Sequence, residues 1–157
     1  MNIIEKFKKL YPSQSIVEYP LTNHQNLDLK IYSCKDDSSI FLENLANDEY
    51  FFEHFLFASR EHKQNVNFEN VVDLGAHAGG FTCCNAVAYP ETNFYAIEQN
   101  KQNFEALKLN SENIADITGT NNINLFNGII KGSRDILSIV EEEENTGGHK
   151  VIFSDKQ

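Results

Sequence analysis

The 157-residue sequence contains only three cysteines and three prolines, and both shortages exclude classes of protein. Three cysteines cannot build a disulfide framework, and no C-x-x-C pair indicates a structural zinc site. The adjacent Cys83 and Cys84 fall in a helix-like run, where packing in the core is the simplest interpretation. We therefore predict reduced thiols and a cytoplasmic protein. So few prolines also exclude a proline-rich or collagen-like chain.

Basic residues and long apolar runs are scarce as well. Thirteen Lys and Arg against 23 Asp and Glu give a formal net charge of −10. That balance argues against nucleic acid and against an anionic membrane surface, because both attract basic proteins. No stretch approaches the roughly 18 apolar residues of a membrane span, and no apolar segment follows the N-terminal lysines as it would in a signal peptide. Neither nucleic acid nor a membrane is expected as a partner.

Residues 1–65 predict an N-terminal extension of helices and a strand. Ile3, Phe7 and Leu10 recur at helical spacing, which predicts a short helix ended by Pro12. Residues 27–33 alternate between apolar and polar, as in a half-buried strand, and residues 40–64 predict a largely buried helix with an aromatic core stripe. His54 and His62 in that helix lack a third ligand, so no metal site is predicted.

Residues 66–157 alternate between short apolar runs and helical patterns. Strands are predicted at 70–74, 93–100 and 122–130, with helices at 80–90 and 101–113. Such a βαβαβ order is typical of an α/β fold with a parallel sheet. Asn100 is a suitable N-cap for the second helix. Residues 136–157 then predict a strand, an acidic turn and a strand, within one compact domain overall.

A glycine-rich turn, "VVDLGAHAGGFT", joins the first of these strands to its helix. Ligands of doubly wound sheets bind at the carboxyl ends of strands, and this first turn is the usual place. Gly75 allows a sharp turn. Gly79 and Gly80 remove Cβ atoms where the helix begins, so we expect a ligand to lie against the backbone there.

The motifs missing from this turn and the acidic residues near it indicate which class of ligand it could bind. A dinucleotide fingerprint G-x-G-x-x-G is absent, because His77 stands where its second glycine would be, and no G-K-[ST] marks a P-loop. A nicotinamide-dependent oxidoreductase is therefore disfavoured. Asp73 and Glu98, each near a strand end, suit a ligand with a ribose and a positively charged end but without phosphate. S-adenosylmethionine fits that description.

The turn, the acidic strand end and the following helix together resemble the class I S-adenosylmethionine-dependent methyltransferases, and most closely the FkbM type. The turn matches D-x-G-A-x-x-G-x-[FY]-[ST], and the helix beginning at Asn100 matches N-x-x-x-F-x-x-L-x-x-N. The resemblance covers about Tyr50 to Ile130. It implies a Rossmann-like parallel sheet and the following cofactor-binding residues: Asp73, Gly75, Ala76, His77, Gly79, Glu98, Gln99 and Asn127.

In that family's arrangement, Asp73 and Gly75 frame the methionine end of the cofactor and Glu98 holds the ribose hydroxyls. Asn127 stands where adenine is often contacted. His77 replaces the usual asparagine and Gln99 the usual proline. Purely structural roles stay open beside these: a loop-ordering hydrogen-bond acceptor for Asp73, a charge partner of a helix N-terminus for Glu98, and a strand-end turn residue for Asn127.

The resemblance implies methyl transfer to a hydroxyl group of a sugar or another small hydroxylated metabolite, with a catalytic base that the sequence does not identify. The D-V-E-G-like segment of the family's fourth strand has no match, so we expect a fold that is incomplete at the C-terminus. The alternative function is a catalytically incomplete S-adenosylmethionine-binding module or partner subunit. In either case the first strand of the sheet would have an unpaired edge. A second copy of the chain, another chain or residues 150–154 would then cover it.

Overall fold

The structure is a computed structural model that describes residues 1–21, 29–41, 68–129, 138–140 and 150–152. Within these ranges the chain is an α/β protein with a three-stranded parallel sheet, helices, and two separate antiparallel strand pairs. None of the described helices is long and apolar enough to cross a membrane. The Rossmann-like arrangement expected from the sequence is compatible with this topology.

The N-terminal part forms a helix followed by a strand pair. Helix α1 (Ile3–Leu10) begins with a capping box, in which the Asn2 side chain accepts from the Glu5 N–H and the Glu5 side chain from the Asn2 N–H. Strand β1 (Ile16–Pro20) pairs antiparallel with β2 (Lys30–Cys34). The predictions of the helix and of a strand at 27–33 are confirmed, but β2 begins and ends later than predicted. Strand β1 was not predicted. The helix expected at 40–64 lies almost entirely outside the described residues.

The second half contains the predicted βαβαβ unit. Its elements are β3 (Asn70–Leu74), α2 (Gly80–Ala88), β4 (Asn93–Glu98), α3 (Lys101–Thr118) and β5 (Ile123–Asn127). The strands are parallel in the order β3-β4-β5, which confirms the expected sheet. Helix α3 continues past the predicted end near residue 113 and stops at Gly119, whose φ of 72° is the left-handed conformation typical of a helix C-cap.

One hydrophobic cluster joins the N-terminal part to this unit. It brings Phe41 together with side chains of α1, β1, β2, α2 and α3, including Phe7, Tyr19, Ile31, Cys83, Ala106 and Ile114. The Asn110 side chain on α3 also accepts from the Tyr32 N–H and donates to the Tyr32 carbonyl, both at 2.8 Å. The described parts of the two predicted units therefore share a core, while the boundary near residue 65 lies outside the described residues.

The three cysteines differ in their surroundings. All three are free thiols, and Cys83 is buried in the shared core, as predicted, while Cys84 is half-buried. Cys34 is buried as well and donates to the Asp37 side chain at 2.8 Å. No disulfide constrains these positions, so packing and hydrogen bonding hold them.

Two short strands near the C-terminus form their own sheet. Strand β6 (Ser138–Val140) pairs antiparallel with β7 (Lys150–Ile152), which confirms both predicted strands. The acidic turn predicted between them lies outside the described residues. Residues 150–152 were one expected cover for the edge of β3, but they pair with β6 instead. Among the strands that the structure describes, β3 pairs only with β4, and association of another chain at its edge stays a prediction.

Candidate functional site

The carboxyl ends of β3, β4 and β5 meet at one edge of the parallel sheet. The register places Leu74 beside Ile97, and Glu98 beside Asn127. The turn that follows β3 therefore lies next to the end of β4, as ligand sites of such sheets do. The structure thus brings the predicted site residues of the turn together with Glu98, Gln99 and Asn127.

Backbone hydrogen bonds fasten the turn to β4. The N–H groups of Gly75 and Ala76 both donate to the Ile97 carbonyl, at 2.9 and 3.1 Å, and the Gly79 N–H donates to the Ala76 carbonyl at 2.9 Å. Gly75 adopts a φ of 80°, which glycine reaches without a steric penalty. The sharp turn predicted at Gly75 is therefore confirmed.

Gly75 and Gly79 have opposite surroundings. A Cβ added at Gly75 would have no atom within 4 Å, and this residue is exposed. A Cβ added at Gly79 would lie 2.6 Å from Leu107 Cδ1 and 3.0 Å from Cys83 Sγ. The expectation that Gly79 makes room for a ligand is therefore corrected: its missing side chain makes room for α3, and only Gly75 of the pair faces open space.

Glu98 connects the turn to the start of α3. Its Oε2 accepts from the His77 N–H at 2.8 Å, and its Oε1 accepts from the Asn100 N–H at 2.7 Å. The side chain is only 4% exposed. Asn100 in turn caps α3, because its Oδ1 accepts from the N–H groups of Gln102 and Asn103. This geometry gives Glu98 the structural role that the sequence left open, as a partner of backbone amides at the helix start.

Asp73 fastens the end of β3 to α2. The Thr82 Oγ1 donates to Asp73 Oδ2 at 2.6 Å. Burial raises the pKa of Asp73 above its ordinary value, the hydrogen bond from Thr82 opposes that shift, and the charge of Glu98 adds to it. The contact with Thr82 agrees with the loop-ordering role for Asp73.

His77 is the one described residue other than glycine with a positive φ, at 52°. Its side chain is buried, and its Nε2 lies 3.6 Å from Asp37 Oδ1. Its ring and that of Phe41 form a T-shaped pair with centroids 6.4 Å apart. The imidazole thus packs on the N-terminal part of the chain. Sequence reasoning did not identify Asp37, and the only signal toward it was the replacement of the family's asparagine by His77.

Asn127 and Gln99 lie at the neighbouring strand ends. Asn127 is exposed, and its Nδ2 donates to the Glu98 carbonyl at 2.9 Å and reaches the Gln99 carbonyl at 3.5 Å. The Gly128 N–H also donates to the Glu98 carbonyl, at 3.0 Å. These bonds agree with a strand-end turn role for Asn127, which links the carboxyl end of β5 to that of β4.

Comparison with models of protein families, with curated proteins and with solved structures finds no match for this chain. In the ranges that the structure describes, no three His, Cys, Asp or Glu side chains are grouped so that they could hold a metal ion. A function for the chain therefore rests on the geometry of the strand ends and on the resemblance in sequence.

Proposed function

We propose that the chain binds S-adenosylmethionine at the carboxyl ends of β3–β5 and acts as a methyltransferase of the FkbM type. The observation that carries the proposal is the turn at Gly75. It lies between Asp73 and the end of β4, it is exposed, and no atom is within 4 Å of a Cβ built there. An extended ligand can therefore lie directly against this backbone.

The amide groups of the turn favour a ligand without phosphate. Phosphate sites at such turns aim backbone N–H groups at the anion. Here the N–H groups of Gly75 and Ala76 donate to Ile97, that of His77 donates to Glu98, and that of Gly79 donates to Ala76. Since these donors are already used within the protein, a nucleotide phosphate gains little from them. A sulfonium cofactor needs no such donors.

The carboxylates give the site a negative charge that suits a cationic ligand. Asp73 lies near the end of β3 beside the turn, and Glu98 ends β4. Each carboxylate oxygen can accept two hydrogen bonds, and each Glu98 oxygen accepts one from the backbone. The ribose hydroxyls would take the remaining positions. Because Glu98 is 4% exposed, the ribose would reach only the part of the carboxylate that stays open while the His77 and Asn100 amides hold it.

When bound, S-adenosylmethionine supplies an electrophilic methyl group on a sulfonium. The chain's residues would hold and orient the cofactor so that a hydroxyl of a sugar or another small metabolite attacks in line. The two carboxylates at this edge both accept hydrogen bonds from the protein, so neither is assigned as the catalytic base. That observation favours, as a second candidate, a module that binds the cofactor and relies on another chain for catalysis.

Calorimetric titration tests the proposal. The chain should bind S-adenosylhomocysteine more tightly than NAD. Gly75→Ala places a methyl group in the open space and should weaken S-adenosylhomocysteine binding roughly tenfold, or about 1.4 kcal/mol. Gly119→Ala is the matched control, because Gly119 also has a positive φ and no atom within 4 Å but caps the far end of α3.

Three results would contradict the proposal: no binding of S-adenosylhomocysteine, tighter binding of NAD, or equal losses in the two glycine variants. A radiolabelled methyl-transfer assay with small hydroxylated acceptors then distinguishes the enzyme from the binding module. Turnover supports the methyltransferase, and cofactor binding without turnover supports the module.

A further inference from the structure

The backbone of His77 is held in a conformation that disfavours side chains with a Cβ. Its φ of 52° is in the left-handed region, which such residues keep only where their surroundings impose it. On one side, the His77 N–H donates to Glu98 Oε2 at 2.8 Å. On the other, the carbonyl of the next residue, Ala78, accepts from Asn110 Nδ2 at 2.8 Å. The turn keeps its shape only while His77 stays left-handed.

The side chain of His77 reaches a buried acidic group outside the sheet. Its Nε2 lies 3.6 Å from Asp37 Oδ1, and the two side chains are 9% and 0% exposed. The contact is an ion pair when the imidazole is protonated, and it is then weakly screened because water is excluded from it. Phe41, from the same N-terminal segment, packs edge-on against the imidazole ring.

Asp37 is itself fixed in position. It ends the 3₁₀ turn Lys35–Asp37 that directly follows β2, and the Lys35 N–H donates to the Ser15 carbonyl at 2.8 Å. The Cys34 thiol donates to Asp37 Oδ2 at 2.8 Å. Burial, together with Asp37, raises the pKa of Cys34 to about 12, so the thiol keeps its proton at neutral pH. One carboxylate oxygen is thus occupied by Cys34 and the other faces His77.

We propose that Asp37 is a positioning residue for the ligand turn. By holding the His77 imidazole, it keeps His77 left-handed and its N–H on Glu98, so the N-terminal segment sets the shape of the turn and the orientation of the Glu98 carboxylate. The predicted loss of ligand affinity rests on the proposed function. The predicted change in the exchange of the His77 amide does not, so the positioning role can be tested even if the proposed function fails.

Amide hydrogen exchange tests the positioning role without a ligand. Asp37→Asn keeps the volume of the side chain but removes its charge. In this variant the His77 amide should exchange at least about tenfold faster, because its bond to Glu98 opens more often. The Asn103 amide, which donates to Asn100 Oδ1, is the internal reference and should change less than about twofold. Unchanged protection of His77 relative to Asn103 would overturn the proposal.

A rescue experiment tests the same role through ligand affinity. Asp37→Asn should weaken S-adenosylhomocysteine binding roughly fivefold. Glycine adopts a positive φ without a penalty, so adding His77→Gly to Asp37→Asn should make the double variant bind at least about twofold more tightly than Asp37→Asn alone. If Asp37 acted only through general stability, the double variant would instead bind more weakly than Asp37→Asn. That result would overturn the proposal.

If Asp37→Asn does not fold, the effect of Asp37 is measured in chains that carry His77→Gly. The affinity of His77→Gly is then compared with that of the double variant, under conditions where circular dichroism shows both to be folded. Equal affinities support an action of Asp37 through His77, and a further loss in the double variant contradicts it. If the parent chain does not bind S-adenosylhomocysteine, the proposed function fails, and the exchange of the His77 amide still decides the role of Asp37.

Discussion

The two faces of the β3–β5 sheet differ in how much of their side-chain surface meets solvent. On the helix-covered face, which packs toward α2 and α3, alternate residues of β4 are buried: Phe94, Ala96 and Glu98. On the opposite, open face, three large apolar side chains are exposed: Val72 at 57%, Leu74 at 60% and Phe126 at 51%. Similar residues on the same strands should therefore contribute very differently to stability, because burial rather than residue type sets the contribution.

The largest contrast is expected between two phenylalanines on neighbouring strands. Phe94→Ala removes a fully buried ring and should lower the free energy of unfolding by about 3–5 kcal/mol. Phe126→Ala, on the open face, should cost less than about 1 kcal/mol. Urea unfolding followed by circular dichroism measures both. Comparable losses would show that the open face is covered in solution and that the two faces do not differ as described.

Two asparagines extend the contrast to hydrogen bonds. The buried Asn110 side chain makes three bonds to backbone groups of Tyr32 and Ala78, and leaving such groups unsatisfied costs about 1–3 kcal/mol each. Asn110→Ala should therefore cost about 3 kcal/mol in urea unfolding. Asn124→Ala is the matched control, with one 3.3 Å bond from an exposed side chain, and it should cost less than about 1 kcal/mol. Equal effects would mean that Asn110 does not join the two parts of the chain.

The two glycines of the turn sharpen the comparison at the site. Both have a positive φ, so alanine costs about 1–2 kcal/mol at either position. Gly79→Ala adds the clash with Leu107 and Cys83 and should cost about 2–4 kcal/mol in total. Thermal or urea unfolding should therefore show that Gly79→Ala is less stable than Gly75→Ala. The reverse order would contradict the packing described for Gly79.

The smallest effect is a pH dependence at Asp73. Because burial raises its pKa in the folded state, the folded protein binds a proton at a pH where the unfolded chain has lost it. The ionised carboxylate therefore weakens folding above the folded pKa, and this penalty disappears as the pH falls below the unfolded value. An asparagine side chain cannot ionise, so the stability of the parent chain relative to Asp73→Asn should increase from pH 7 to about pH 4. A constant difference across urea titrations at these pH values would contradict the shift.

Much of the sheet could be predicted because its signals are local. The apolar runs of β3 and β4 and the N-cap at Asn100 depend on neighbouring residues. Strand β1 depends instead on pairing with β2 and ends at Pro20, a residue that weakens any strand prediction. The end of α3 was placed too early, because the polar residues after Asn110 interrupt the apolar pattern while the left-handed Gly119 ends the helix.

The site could be predicted less completely. Parallel strands place their carboxyl ends together, so the proximity of the Gly75 turn to Glu98 followed from the order of elements. The burial of Glu98 and the contact of Gly79 with Leu107 depend on how α3 packs. The contact between His77 and Asp37 joins distant parts of the chain, and no periodicity or motif encodes such a pairing.

The bonds between Asn110 and Tyr32 join residues 78 positions apart, and this separation matters while the chain is being made. Ribosomes add about 5–20 residues per second, so Tyr32 is synthesised roughly 4–16 s before its partner. Over that interval β2 and α1 lack the helix on which they pack, and the apolar side chains of Phe7 and Ile31 lack their final neighbours. A chaperone that binds exposed apolar segments therefore has its longest access to the first part of the nascent chain, and this access ends when α3 leaves the ribosome.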